Sequence, residues 1–466
     1  MENQNPPSEL LQSFVDLFNQ GRLQEALSES TKLLKKFPNS VVLFNIAGAS
    51  NAGLKQFDAA IHNYKQALKI KPDYADAYFN MANVFKVKGD LEEAIESYKQ
   101  ALKLKPNYAD AYNNMGNALK DKGDPEAAIE SYKQALKIRP NSANTYNNMG
   151  SALKDKGDLE EAINSYQRAI KIKPSYTRAK SNLVKLLTTF TPKNESSNLI
   201  VKVNEQIRKI VIKENTSKII SDDQAIALFL KSESYISMFG LNLRTELTQI
   251  FRRNSVNLNC TRHKSIFDKH NIIPEFCFGC YKVQVEPRSL IELIKLFIVF
   301  DQLELNENNT RKCMIEVRPE VSGFYKGLIF CSGLKQANQI SKHLDIVINQ
   351  SISSGLTSQV KRGCSEYPIS YPNYKEINNS GPQLMNYKEE WKVIEVTHDK
   401  EKPIYPKAWK RPSLSGLSLS DTLIIRKWID YAKGIGDSTA DLLSQDTLYY
   451  QDIYNIAKAR LDKFNY

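Results

Sequence analysis

Cysteine is missing from the first 259 residues of this 466-residue chain, and all six lie between Cys260 and Cys364. Disulfide frameworks and thiolate metal sites are thereby excluded from the first half. No stretch reaches the ~18 unbroken apolar residues of a membrane span. The longest apolar run, 290–305, is interrupted by Glu292, Lys295 and Asp301 and reads as a buried helix. No membrane partner is expected. The first nine residues lack a basic flank followed by an apolar stretch, which points to the cytoplasm. Catalytic signatures are also missing: the chain has no G-x-x-x-x-G-K-[ST] phosphate loop, G-x-G-x-x-G fingerprint, H-E-x-x-H pair or G-x-S-x-G elbow. His270, His343 and His398 have no partner at a spacing that suggests a site.

Charge is plentiful but not concentrated. The net charge of +12 is shared between the two halves, and neither shows the dense basic face that phosphate neutralisation requires, so nucleic acid is not an expected partner. With 41% hydrophobic and 25% charged residues the composition is that of folded protein, and the length is too great for one core.

What is present is a period of 34. Pro38, Pro72, Pro106, Pro140 and Pro174 keep that spacing, as do Gly89, Gly123 and Gly157, and so do Tyr64, Tyr98, Tyr132 and Tyr166. Each unit predicts two helices separated by a Gly-Asp turn and ended before proline. Asp90, Asp124 and Asp158 stand where a side-chain oxygen caps the second helix, with Glu93 and Glu161 at capping-box spacing. Tyr78, Met81 and Phe85 share one face of their helix and predict core. One pair cannot bury both its faces, so the pairs must stack.

These columns resemble the tetratricopeptide-repeat family over residues 8–190, with five units at 8–38, 41–72, 75–106, 109–140 and 143–174 and a closing helix at 176–187. The resemblance implies an α-solenoid that binds protein. The units are most similar to the repeat domain of O-GlcNAc transferases, in which an asparagine ladder grips peptide backbone. That resemblance implies the same role for Asn80, Asn114, Asn148 and Asn182, which recur every 34 residues two positions after the aromatic column. An amide both donates and accepts, as an extended backbone requires. Asn83 and Asn117 add a partial second row, and Lys86, Lys120 and Lys154 on the same helices would favour acidic peptide. Duplication of an unselected asparagine is the plainer alternative, since neighbouring segments such as SYKQALK are also copied.

After residue 190 the period stops. A helical connector is expected over 191–256, with helices at 225–238 (capped by Ser221 and Gln224) and at 241–253. Over 257–375 the pattern predicts a strand at 280–286, a helix at 289–305, strands at 312–318 and 326–331, a helix at 334–350 and a strand at 358–367. That order, βαββαβ, matches a ferredoxin-like α+β domain. A linker near 410–420 and a helical C-terminal region complete 376–466. Within it, Gly434, Ile435 and Gly436 resemble the hairpin of helix-hairpin-helix modules, which implies a DNA phosphate contact; a glycine helix stop explains the same residues.

Cys260, His263, Cys277 and Cys280 form C-x2-H-x13-C-x2-C, a spacing that suits a tetrahedral structural zinc ion. A second quartet, Cys277 and Cys280 with Cys331 and Cys364, would meet at one rim of the expected sheet. Buried thiols in a reducing compartment are the alternative to both. The functional expectation is an adaptor that holds an extended segment of a protein partner in its repeat groove. The competing class is a protein-modifying, transferase-like enzyme that docks its substrate on the repeats.

Overall fold

The computed structural model describes residues 6–464 apart from 189, 194, 211–218, 253–259, 308, 365–366, 380, 402–415 and 445–447. The linker expected at 410–420 lies mostly outside the described residues. The chain forms two compact units, Met1–Leu183 and Val184–Tyr466.

The first unit is a stack of helix pairs. The pairs are Ser8–Asn19 with Leu23–Leu34, Val41–Gly53 with Phe57–Ile70, Ala75–Lys88 with Leu91–Leu104, Ala109–Lys122 with Pro125–Ile138, and Ala143–Lys156 with Leu159–Ile172. Thr177–Leu187 follows as the closing helix. Two glycine columns make the repeat possible. Gly89, Gly123 and Gly157 end their helices at φ of +97°, +96° and +102°, a left-handed conformation that strains any residue with a Cβ. Gly48, Gly116 and Gly150 instead supply room: a Cβ there would lie 2.6, 2.7 and 2.8 Å from the rings of Tyr64, Tyr132 and Tyr166. Those tyrosines and Tyr98 are fully buried and fill the space between helices.

The aspartate column behaves less uniformly than its spacing suggests. Asp124 accepts from the Ala127 N–H at 3.0 Å, whereas Asp90 and Asp158 make no side-chain cap. The reason is competition from lysine two residues upstream. Lys88 lies 3.4 Å from Asp90 and Lys156 2.6 Å from Asp158, whereas Lys122 turns to Glu92 at 3.1 Å and leaves Asp124 to the backbone.

The second unit is built on a five-stranded antiparallel sheet: β1 (Gln249–Arg252), β2 (Tyr281–Val285), β3 (Arg311–Ile315), β4 (Tyr325–Cys331) and β5 (Ser358–Arg362), in the order β1-β3-β4-β2-β5. Helices Leu290–Gln302 and Leu334–Ser351 pack on one face, and the 290–302 helix is buried along nearly its whole length. Gly327 in β4 admits that helix, since a Cβ would meet Leu296 at 2.3 Å.

Two expectations are corrected here. Residues 241–252 of the helix expected at 241–253 are not helical; they end in β1, whose Ile250 pairs with Cys313 of β3. Long-range pairing prevails over helical propensity because it carries the Arg252 guanidinium to Asp421 at 2.6 Å, with Asp301 3.5 Å away. The segments delimited as 191–256, 257–375 and 376–466 also share one core. Helix Leu419–Gly434 is buried against the sheet, and Trp428 Nε1 donates to the Thr248 carbonyl at 2.9 Å. The turn after it is a packing node. A Cβ on Gly434 would touch Ala457 at 2.6 Å, and Asp437 Oδ2 accepts from the Leu290 N–H and the Tyr325 hydroxyl, each at 2.7 Å.

Candidate functional site

The asparagine row lies on the first helix of successive pairs, and its side chains are joined. Asn182 Nδ2 donates to Asn147 Oδ1 at 2.9 Å, Asn147 to Asn148 at 3.4 Å, Asn148 to Asn113 at 3.2 Å, and Asn113 to Asn114 at 3.1 Å. Asn114 then donates to Asn83 Oδ1 at 2.9 Å. Six amides thus form one chain across three repeats and the closing helix, a geometry in which each bond polarises the next. Earlier in the stack Asn80 donates to Asn45 at 3.1 Å.

The pattern shifts at one residue. Asn80, Asn148 and Asn182 reach the residue 35 positions earlier, but for Asn114 that residue is Phe79. Asn83 supplies the missing acceptor. Asn83 also accepts from the Tyr98 hydroxyl at 2.6 Å, as Asn117 does from Tyr132 at 2.8 Å. The partial second row therefore braces the buried tyrosines. Asn113 and Asn147, which complete the ladder, were not among the expected site residues; the Asn-Asn doublets at 113–114 and 147–148 were the signal for them. Asn113, Asn114, Asn148 and Asn182 each donate one N–H within the chain and are only half-buried, so the second N–H of each can meet a ligand, whereas Asn147 is buried and Asn83 only accepts.

The lysine row is partly neutralised. Lys120 lies 3.1 Å from Asp121 and Lys154 3.9 Å from Asp155, while Lys86 is followed by Val87.

In the second unit the four candidate metal ligands have different surroundings. Cys260 is exposed at the start of helix Cys260–His270, and His263 is buried with its ring stacked on Phe276 at 5.1 Å. Burial, together with the Arg262 charge, lowers the His263 imidazole to about 4 and keeps it neutral. Cys277 packs with Ile266, Ile272 and Trp391, and its thiol lies 3.4 Å from the Tyr367 hydroxyl. A hydrogen bond to Cys364 and burial both push that thiol well up. Cys280 sits immediately before β2, where burial raises it to about 12. Among the described residues no three His, Cys, Asp or Glu side chains gather as a metal-holding group, from either quartet. No helix among them is long and apolar enough to cross a membrane.

Family models for the TPR repeat match residues 54–89, 83–123 and 116–157, and one for the tetratricopeptide repeat matches 143–176. Residues 54–176 are tetratricopeptide repeats. The chain is also 35% identical over 76 residues to a probable UDP-N-acetylglucosamine–peptide N-acetylglucosaminyltransferase SEC of Arabidopsis thaliana; the match covers 16% of this chain and 8% of that relative's length. Among solved structures it is similar to MamA (25% identity, 34% of this chain, 93% of that one, TM-score 0.33). It is likewise similar to YrrB, described as a TPR protein with an unusual peptide-binding site (20%, 36%, 86%, TM-score 0.32).

Proposed function

We propose that the repeat unit is an adaptor surface that holds an extended segment of a partner protein. The half-buried amides of Asn80, Asn114, Asn148 and Asn182 meet its backbone. The observation that carries this reading is the hydrogen-bonded asparagine chain. It fixes the amide orientations before a ligand arrives and so reduces the side-chain entropy lost on binding. Lys86 gives one end of the row its cationic character, since Asp121 and Asp155 offset the other two lysines. An acidic residue on the peptide would register there.

The second unit, in this reading, is an α+β domain of ferredoxin-like type with β1 added at its edge. Supporting it is the run β2, helix, β3, β4, helix, β5, whose antiparallel order β3-β4-β2-β5 places β4 between β2 and β3. It supplies a separate surface to whatever the repeats hold.

The test is selection of extended peptides from a displayed library on the full chain, followed by affinity measurement on the selected sequence. Asn114→Ala with Asn148→Ala should weaken binding at least about tenfold, the equivalent of two lost hydrogen bonds. Equal affinity of the double variant, with folding intact, rejects the ladder.

A further inference from the structure

The face of the sheet turned away from helices 290–302 and 334–351 is not apolar. Along β2, Tyr281, Val283 and Val285 alternate with Lys282 and Gln284, and the second set faces a cavity of about 480 Å3. Its floor is the sheet. Helix Cys260–His270, the 3-10 turn Tyr367–Ile369 and residues 317–322 contribute to its wall.

Four adjacent strands each place a lysine there: Lys312 on β3, Lys326 on β4, Lys282 on β2 and Lys361 on β5. Lys282 and Lys361 are direct cross-strand partners, an arrangement that like charges make unfavourable. Lys282 and Lys326 are only 7% and 5% exposed. Lys326 is met by Glu316 at 2.9 Å, which Arg318 also holds at 2.8 Å, while Lys282 donates to the Gly363 carbonyl at 3.2 Å. Lys361 reaches Glu286 at 3.6 Å. With Lys264 and Arg318 the described lining has six cationic groups and two carboxylates. Lys264 also pairs with Asp268 at 3.3 Å, and a cleft in which cations outnumber carboxylates focuses a positive potential that favours an anionic ligand.

The lining is not only cationic. Leu328 and Phe330 share the Lys326 face of β4, Met314 faces Lys326 across the strands, and Phe267 and Tyr367 stand at the wall. The volume lies in the range of small-molecule sites, and the walls limit the length of ligand that can enter. We propose that this cavity binds a nucleoside phosphate, with its phosphates on the lysines of β2, β3 and β5 and its ring on the apolar strip of Met314, Leu328 and Phe330. The site lies wholly within Val184–Tyr466 and stands independently of the peptide groove.

Calorimetric titration of the full chain with ADP tests it, with pyrophosphate and a twelve-residue oligothymidylate as comparison probes. ADP should saturate at one equivalent and bind more tightly than pyrophosphate. Lys312→Gln and Lys361→Gln, both at partly exposed positions, should each weaken ADP by about tenfold without shifting the melting temperature. Lys154→Gln in the repeats should leave ADP affinity unchanged. Absence of saturable ADP binding, or ADP affinity indifferent to both sheet variants, overturns the site. Pyrophosphate binding as tightly as ADP overturns the role of the apolar strip. Tighter binding of the oligonucleotide than of either small probe overturns the small-ligand assignment in favour of a single strand.

Discussion

The Tyr98 hydroxyl donates to Asn83 Oδ1 at 2.6 Å, and the same oxygen receives Asn114 Nδ2 at 2.9 Å, so the end of the asparagine chain is tied to the buried tyrosine column. Asn83→Ala should remove the shared acceptor of both bonds at once. A loss of about 1–3 kcal/mol is expected from two donors left without partners. Urea unfolding of the repeat signal measures it. A change within error would show that water replaces the amide and that the link to Tyr98 has no energetic weight.

Gly150→Val tests the space column. The added Cβ would fall 2.8 Å from the Tyr166 ring and 3.2 Å from the Ala162 carbonyl, so either the ring or the helix pair must move. Overpacking of this kind costs about 1–3 kcal/mol. Gly89→Ala, which meets nothing within 4 Å but sits at φ +97°, should destabilise through the backbone alone. Comparison of the two melting temperatures, with Tyr166→Phe as control, separates the mechanisms.

Cys277→Ser should destabilise the second unit, because a more polar group replaces a thiol packed among Ile266, Ile272 and Trp391. About 1–2 kcal/mol is expected for this loss of burial. Treatment with a chelator tests zinc at Cys260, His263, Cys277 and Cys280, and an unchanged wild-type melting temperature would count against it. A clear fall on chelation, together with stoichiometric zinc by elemental analysis, would support the tetrahedral reading.

Glu316 sets an acid limit. Burial alone would raise its carboxyl, but hydrogen bonds from Arg318 and Lys326 outweigh it and hold the group at about 2, against an ordinary 4.5. A depressed folded pKa contributes stability that is present above the unfolded value and is lost as pH falls through the folded one. The window is therefore about pH 4.5 down to 2. Burial pushes the Lys326 ammonium down, which offsets part of the gain at neutral pH. Glu316→Gln should flatten the pH dependence of unfolding in that window; an unaltered slope would place the acid sensitivity elsewhere.

The repeat half was largely legible in the sequence because its information is local. The 34-residue columns of glycine, tyrosine and proline specify helix ends and a packing stripe through contacts a few residues apart, and the helices fall where that register puts them. The capping box of Ser221 and Gln224 is visible for the same reason. Equivalent text still diverged wherever a neighbour could compete: Asp124 caps and Asp158 does not, and Phe79 redirects Asn114 to Asn83. In the second half the strand near 281 and the helix after Ser289 lie where the sequence pattern over 257–375 puts them. β1 did not, because a four-residue edge strand acquires its backbone partners from β3, about 60 residues away in sequence, and its Arg252 partner from Asp421. Nor did the cysteine spacing locate the thiols, since Cys277 meets Tyr367 only after β5 and the segment beyond it fold back. Sequence determined what each segment could form by itself; tertiary structure decided which side chains met, because hydrogen bonds and ion pairs depend on distances that no spacing along the chain encodes.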